Sequence, residues 1–160
     1  MSRQSALIST RLTAFGFLRL SAFYGKTDIE QGKATLRRAI EIGCTTFNTA
    51  DVYGSGANEE LIGSVLAEGD NRSKVFLITK FGGRIENGKM TISGSKEYAA
   101  QAIDASIKRL GTKPDAWILH RIDKSTPIEE SVQAMEDARK AGKTRYIGLS
   151  EVCPGSRSSV

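Results

Sequence analysis

The chain has 160 residues, 39% hydrophobic and 26% charged, with 23 basic and 18 acidic residues and a net charge of +5. That is enough for one domain with a sizeable core, and the composition is ordinary for a globular protein. No apolar run approaches the roughly 20 residues of a membrane span, and the scattered basic charge forms no stripe interleaved with aromatics, so neither a membrane nor a nucleic acid is an expected partner.

Arg3, Arg11, Arg19 and Lys26 precede the first acidic residue, Asp28. That pattern faintly resembles a mitochondrial presequence. The plainer reading is a flexible leader over residues 1–11 followed by a first strand over residues 15–20. There is no apolar segment for secretion. Cys44 and Cys153 lie far apart without metal-ligand spacing, which predicts reduced thiols, no metal site and a cytoplasmic location.

Thr27 and Glu30 form a candidate capping box. Leu36, Ala39 and Ile40 then follow at helical spacing, with Gly43 at the stop. Residues 45–49 are β-branched and aromatic and read as a strand. Asn58 is a candidate cap for a helix that buries Leu61, Ile62, Val65 and Leu66. Val75, Phe76, Leu77 and Ile78 make the continuous apolar run of a parallel strand covered on both faces. The Gly-rich, polar stretch 82–95 suits a lid or a disordered connection equally. Ala99, Ala102, Ile103, Ile107 and Leu110 mark a long helix, and residues 115–119 the next strand. Thr126, Pro127 and Glu129 combine a cap, a first-turn proline and a capping-box glutamate. The helix they open buries Val132, Met135 and Ala138 and ends at Gly142. Residues 144–149 form a fifth strand.

Strand ends thus recur near residues 48, 80, 120 and 150, about 30 to 40 residues apart, as parallel βαβ units require. A doubly wound sheet and a (β/α) barrel both satisfy that period. Two features favour an α/β fold of TIM-barrel type, a partial barrel of about five βα units. Glu59 stands where the third glycine of a G-x-G-x-x-G would follow Gly54 and Gly56. Polar residues also gather at C-terminal strand ends, where barrel enzymes keep their chemistry.

Those ends carry Asn48, Tyr53, Lys80 and His120, the last being the only histidine. A tyrosine serves as a general acid where a neighbouring cation lowers its pKa, although a lone loop tyrosine is more often packing. A lysine closing an apolar strand must be exposed, snorkelled or paired. A single strand-end histidine is more often a structural hydrogen-bonder. Equivalent topological positions for all three turn the balance towards one site.

The chain resembles the aldo-keto reductases, especially their fungal and bacterial NADPH-dependent branch. The resemblance rests on Leu20-Ser21-Ala22-Phe23-Tyr24-Gly25, Thr49-Ala50-Asp51-Val52-Tyr53-Gly54 and Asn58-Glu59-Glu60-Leu61-Ile62-Gly63. It continues with Phe76-Leu77-Ile78-Thr79-Lys80-Phe81-Gly82, Ser106-Ile107-Lys108-Arg109-Leu110-Gly111, Leu119-His120-Arg121 and the run from Gly142 to Glu151. It covers about residues 12–151, taken as the domain, in the right order. The resemblance implies NADPH-dependent reduction of an aldehyde or ketone, a small carbonyl compound, at the mouth of a barrel. It makes Tyr53 the proton donor, Lys80 the charge that depresses the tyrosine pKa, and His120 the group that orients the carbonyl. It places Ser150, Asn48 and Glu151 among the cofactor-contacting positions, with Ser150 on the nicotinamide carboxamide.

Asn48 departs from the family pattern, which has an aspartate five residues before the tyrosine. An amide can hydrogen-bond Lys80 but cannot neutralise it, and an unpaired, partly buried lysine tends towards its neutral form. The motifs end at Glu151, and residues 152–160 read as an irregular tail. A complete barrel of this type needs roughly 200 residues or more. The favoured expectation is a truncated product. Self-association that covers open strand edges is a second, and a non-catalytic interaction subunit of the same ancestry a third.

Overall fold

The computed structural model describes residues 14–16, 28–86 and 89–150. In chain order the elements are β1 (Ala14–Gly16), α1 (Ile29–Glu41), β2 (Thr46–Asn48), α2 (Ala57–Leu66), β3 (Phe76–Phe81), β4 (Gly83–Glu86), β5 (Lys89–Ile92), α3 (Lys96–Leu110), β6 (Ala116–Leu119), α4 (Ile128–Lys140) and β7 (Tyr146–Leu149). β1, β2, β3, β6 and β7 form one parallel sheet in that order, and β4 pairs with β5 as an antiparallel hairpin. The order never reverses. A doubly wound sheet reverses at its switch point, so the fold is a partial (β/α) barrel of TIM type. The leader over residues 1–11, residues 17–20 of the expected first strand and the tail over residues 152–160 lie outside the described residues.

Register decides which side chains share a face. Asn48 pairs with Ile78, Lys80 with Ile118, and Ile118 with Gly148. Side chains alternate along a strand and register-paired residues point the same way. Phe47, Leu77, Thr79, Phe81, Trp117 and Leu119 therefore share one face, and all are fully or almost fully buried. All but Thr79 pack into two clusters. One joins Leu36 of α1, Ile62 and Val65 of α2, Phe47 and Leu77. The other joins Ile103 of α3, Met135 of α4, Phe81, Trp117 and Leu119. The opposite face carries Phe76, Ile78 and Ile118, which are half-buried. β3 is thus covered fully on one face only, which corrects the two-sided reading of its apolar run.

At the N-terminal ends of the strands, Arg72 ties β3 to β6. Its Nη2 donates to Asp115 Oδ2 (2.9 Å), which also accepts the Leu77 N–H (2.9 Å).

Three helix starts differ from their sequence reading. Asp28, rather than Thr27, caps α1, with its Oδ1 accepting from the N–H groups of Glu30 (2.9 Å) and Gln31 (3.2 Å). An aspartate one residue closer to the helix reaches those donors directly. Gly56, rather than Asn58, caps α2, in a left-handed conformation with φ 97°. Pro127 occupies the cap of α4 without a side-chain hydrogen bond. Thr126 Oγ1 instead donates to Asp123 Oδ2 (2.9 Å), which competes successfully for the hydroxyl. Because α4 starts there, Ser131, Ala134, Met135 and Ala138 form its buried stripe and Val132 is 37% exposed. Within the stretch 82–95, β4 and β5 pair as an antiparallel hairpin rather than forming a disordered connection.

Candidate active site

The C-terminal ends of β2, β3 and β6 bring Asn48, Tyr53, Lys80 and His120 together. Asn48 is the last residue of β2, and Lys80 lies on the same face of β3. Lys80 Nζ donates to Asn48 Oδ1 and to the Thr49 carbonyl (3.1 Å). His120 follows β6, and its N–H continues the ladder to Phe81 O (2.8 Å). Parity puts its side chain on the face shared by Asn48 and Lys80. Tyr53 follows β2 by five residues, where the chain turns back towards α2. Its ring lies 5.4 Å from Lys80 Nζ and edge-on to the His120 ring, with 5.7 Å between centroids.

Ser150 directly follows β7. Its N–H donates to Leu119 O (3.0 Å), so it stands level with His120. Glu151 lies outside the described residues.

Lys80 is 9% exposed. Burial pulls its pKa down from 10.5 to about 8. Both of its oxygen partners are neutral, an amide and a backbone carbonyl. An aspartate at position 48 would oppose the shift with charge; an asparagine cannot.

The turn that presents Tyr53 is tightly held. Gly54, Ser55 and Gly56 all take positive φ, and Ser55 (φ 53°) is the described non-glycine residue that does so. A Cβ on Gly56 would meet Arg109 Cδ at 2.6 Å, so only glycine lets that arginine lie across the turn. Arg109 Nε donates to Glu59 Oε2 (2.7 Å), and Thr79 Oγ1 donates to Glu59 Oε1 (2.5 Å). Glu59 is fully buried, and Asn58 beside it accepts from Thr49 Oγ1 (2.7 Å). A buried carboxylate is tolerable only when its charge and lone pairs are met in this way. The network joins α2, α3, β3 and the end of β2 around the tyrosine turn. No role for Glu59, Arg109, Thr49 or Thr79 follows from motif reading alone. The available signal was an acid, Glu59, on the helical stripe of Ile62 and Leu66.

Comparison with known proteins identifies the family. The aldo/keto reductase family model matches residues 14–158. The chain belongs to the aldo/keto reductase family. Among curated members it is 41% identical over 140 residues to the aldo-keto reductase yakc, whose name carries NADP(+), from Schizosaccharomyces pombe. That alignment takes in 86% of this chain and 41% of the yeast protein. Among solved aldo/keto reductases, the glycerol dehydrogenase of Gluconobacter oxydans superposes with a TM-score of 0.80 at 30% identity, over 88% of this chain and 45% of that one. The enzyme of Klebsiella pneumoniae, solved with NADP and acetate, gives 0.71 at 28%, over 89% and 46%. The chain spans less than half the length of these relatives. The family match reaches Ser158, past the last motif residue, Glu151.

Proposed function

We propose that this chain carries the carbonyl-reducing site of an NADPH-dependent aldo/keto reductase, with Tyr53 as proton donor. The observation that carries the reading is the convergence of Tyr53, Lys80 and His120 from three strand ends, with a 5.4 Å approach of cation to phenol ring. Tyr53 gives its hydroxyl proton to the carbonyl oxygen, a general-acid step worth on the order of 10²–10⁴ in rate. A charged Lys80 favours the phenolate left behind. His120 hydrogen-bonds the same oxygen and orients the carbonyl. The substrate is an aldehyde or ketone, which leaves as the alcohol.

The donor set suits the cofactor's nicotinamide end. An amide nitrogen at Asn48 and a hydroxyl at Ser150 offer a donor and a donor–acceptor, the complement of a carboxamide. NADPH, when bound, supplies the hydride. The name of the yeast relative, with its NADP(+), and the NADP in the Klebsiella structure support this choice. Asn48 in place of a carboxylate favours a second reading, a binding subunit that keeps the pocket without turnover.

Titration with NADPH, read by quenching of Trp117, tests the reading. Trp117 is buried in β6 three residues before His120 and stacks on Phe81 at 4.0 Å. Saturable quenching, followed by aldehyde-dependent oxidation of NADPH, is expected. Quenching without oxidation selects the binding subunit. No quenching overturns both readings for this chain.

A further inference from the structure

Asp51 and Tyr98 form a second polar group beside the site, and the chemistry above does not use them. Tyr98 Oη lies 3.0 Å from Asp51 Oδ2 and 3.1 Å from the carbonyl oxygen of Gly83. Asp51 sits two residues before Tyr53, and its N–H donates to Lys80 O (2.9 Å). Gly83 opens the β4–β5 hairpin. The root of that hairpin lies between the two loops that carry the site. A Cβ on Gly83 would touch Val52 Cβ at 3.2 Å, and one on Gly82 would come 3.8 Å from Arg121 O. Val52 adjoins Tyr53, and Arg121 adjoins His120.

We propose that Asp51 and Tyr98 are positioning residues: Tyr98, braced by Asp51, clamps the root of the hairpin between the Tyr53 loop and the His120 loop. Counting hydrogens gives the clamp two states. A tyrosine hydroxyl has one proton to donate. An ionised carboxylate and a backbone carbonyl are both acceptors, so one of the two bonds would then be empty. A protonated Asp51 closes both, with Asp51 donating to Tyr98 Oη and Tyr98 donating to Gly83 O. The other carboxyl oxygen, Oδ1, is buried without a hydrogen-bond partner, a position that suits a neutral carbonyl better than half of a charge.

The charged neighbours agree. Burial pushes Asp51 up to about 7; the Tyr98 bond opposes this, Glu59 of α2 adds to it, and the Val52 backbone N–H and Arg109 of α3 oppose it. Arg84 of β4 stands over the Tyr98 ring at 5.0 Å. Lys80 of β3 turns its ammonium to Asn48 and Thr49. When Asp51 ionises, the Tyr98 hydroxyl keeps its proton and turns its single donated hydrogen bond to the carboxylate, the stronger acceptor, and Gly83 O is released.

The clamp bears on reduction only through the reading proposed above, so its test needs neither cofactor nor turnover. Amide hydrogen exchange of the hairpin and of Ser93, whose N–H donates to Gly82 O (2.9 Å), is followed in the intact chain from pH about 6 to about 8, corrected for intrinsic exchange. In the native chain, protection falls as Asp51 ionises. Tyr98→Phe removes both bonds, and hairpin exchange becomes roughly five- to tenfold faster across the whole range. Asp51→Asn keeps a donor towards Tyr98 at every pH, so protection stays high and the pH dependence disappears. If Tyr98→Phe does not fold, the native profile and Asp51→Asn decide alone. Hairpin exchange that is equally pH-independent in native and Asp51→Asn chains overturns the proposal. So does an Asp51→Asn hairpin that is as open as that of Tyr98→Phe. A failed NADPH titration with an intact exchange profile would sink the function and leave the clamp standing.

Discussion

At the scale of single residues, the site turns on what faces Lys80. Its ammonium is buried and has only neutral oxygens for company, so its pKa falls to about 8. Near neutral pH a fraction of the molecules holds a neutral amine, which assists Tyr53 less. Asn48→Asp restores a negative partner within hydrogen-bond reach. The Lys80 pKa then rises, and turnover increases about twofold near pH 8 and about tenfold near pH 9, in proportion to the charged fraction recovered. An unchanged pH–rate profile in the variant would count against this account. Tyr53→Phe keeps the ring and removes the proton, and should lower the rate by roughly 10²–10⁴ while NADPH quenching of Trp117 persists. The position of each polar group was readable from strand ends, because a residue type that conflicts with its apolar surroundings reveals itself in sequence. Tyr98 was not readable. An aromatic on a helix looks like core until a fold brings a carboxylate from 47 positions away against its hydroxyl.

At the scale of elements, α2 and α3 act as a brace for the tyrosine turn. Glu59 comes from one helix and Arg109 from the other. Their axes approach closely because Gly63 has no side chain; a Cβ there would lie 2.6 Å from Leu110 O and 2.8 Å from Arg109 O. Backbone cannot swing aside as a side-chain tip can. Gly63→Ala therefore forces the helices apart, an overpacking cost of ~1–3 kcal/mol. Alanine's better helix propensity returns about 1 kcal/mol. Urea unfolding should show a net loss of about 1 kcal/mol, with an unchanged slope. A more stable variant would mean that the helix contact adjusts freely. Helices and strands were legible here because their buried stripes repeat at fixed periods: Ile62 and Val65 on α2, Leu77 and Phe81 on β3. Helix starts were less so, since Thr27, Asp28 and Asn58 are all chemically fit to cap. The choice fell to geometry that only the folded turn supplies. Asn87-Gly88 between two short stretches is the sequence signal of a hairpin. Its composition looked like a loop because Ile85, Met90 and Ile92 are the few apolar residues it holds, and all three remain exposed.

At the scale of the whole molecule, two buried groups of opposite charge type set how stability changes with pH. Asp51 titrates near 7 when folded and near 3.8 when unfolded, chiefly because burial disfavours its charge. Between those values the folded state holds a proton that the unfolded state has lost, so this contribution falls as pH rises from about 4 to about 7. Lys80 runs the other way. Its pKa is about 8 folded against 10.5 unfolded, again through burial. Between these values the unfolded chain holds the extra proton, so stability rises with pH from about 8 to about 10.5. Both groups carry most of their charge between about 7 and 8, where their joint contribution is smallest. Asp123 does not blur the comparison. Burial alone would raise it, but bonds from Ser125, Gly94 and Thr126 outweigh that and hold it at about 2, below this window. Equilibrium urea unfolding at a series of pH values separates the two arms. Asp51→Asn should flatten the acid arm and leave the alkaline one. Lys80→Met should do the reverse, because it removes the charge whose burial creates the alkaline slope. An acid arm that survives Asp51→Asn would place its origin in another carboxylate and return Asp51 to the ionised state at neutral pH.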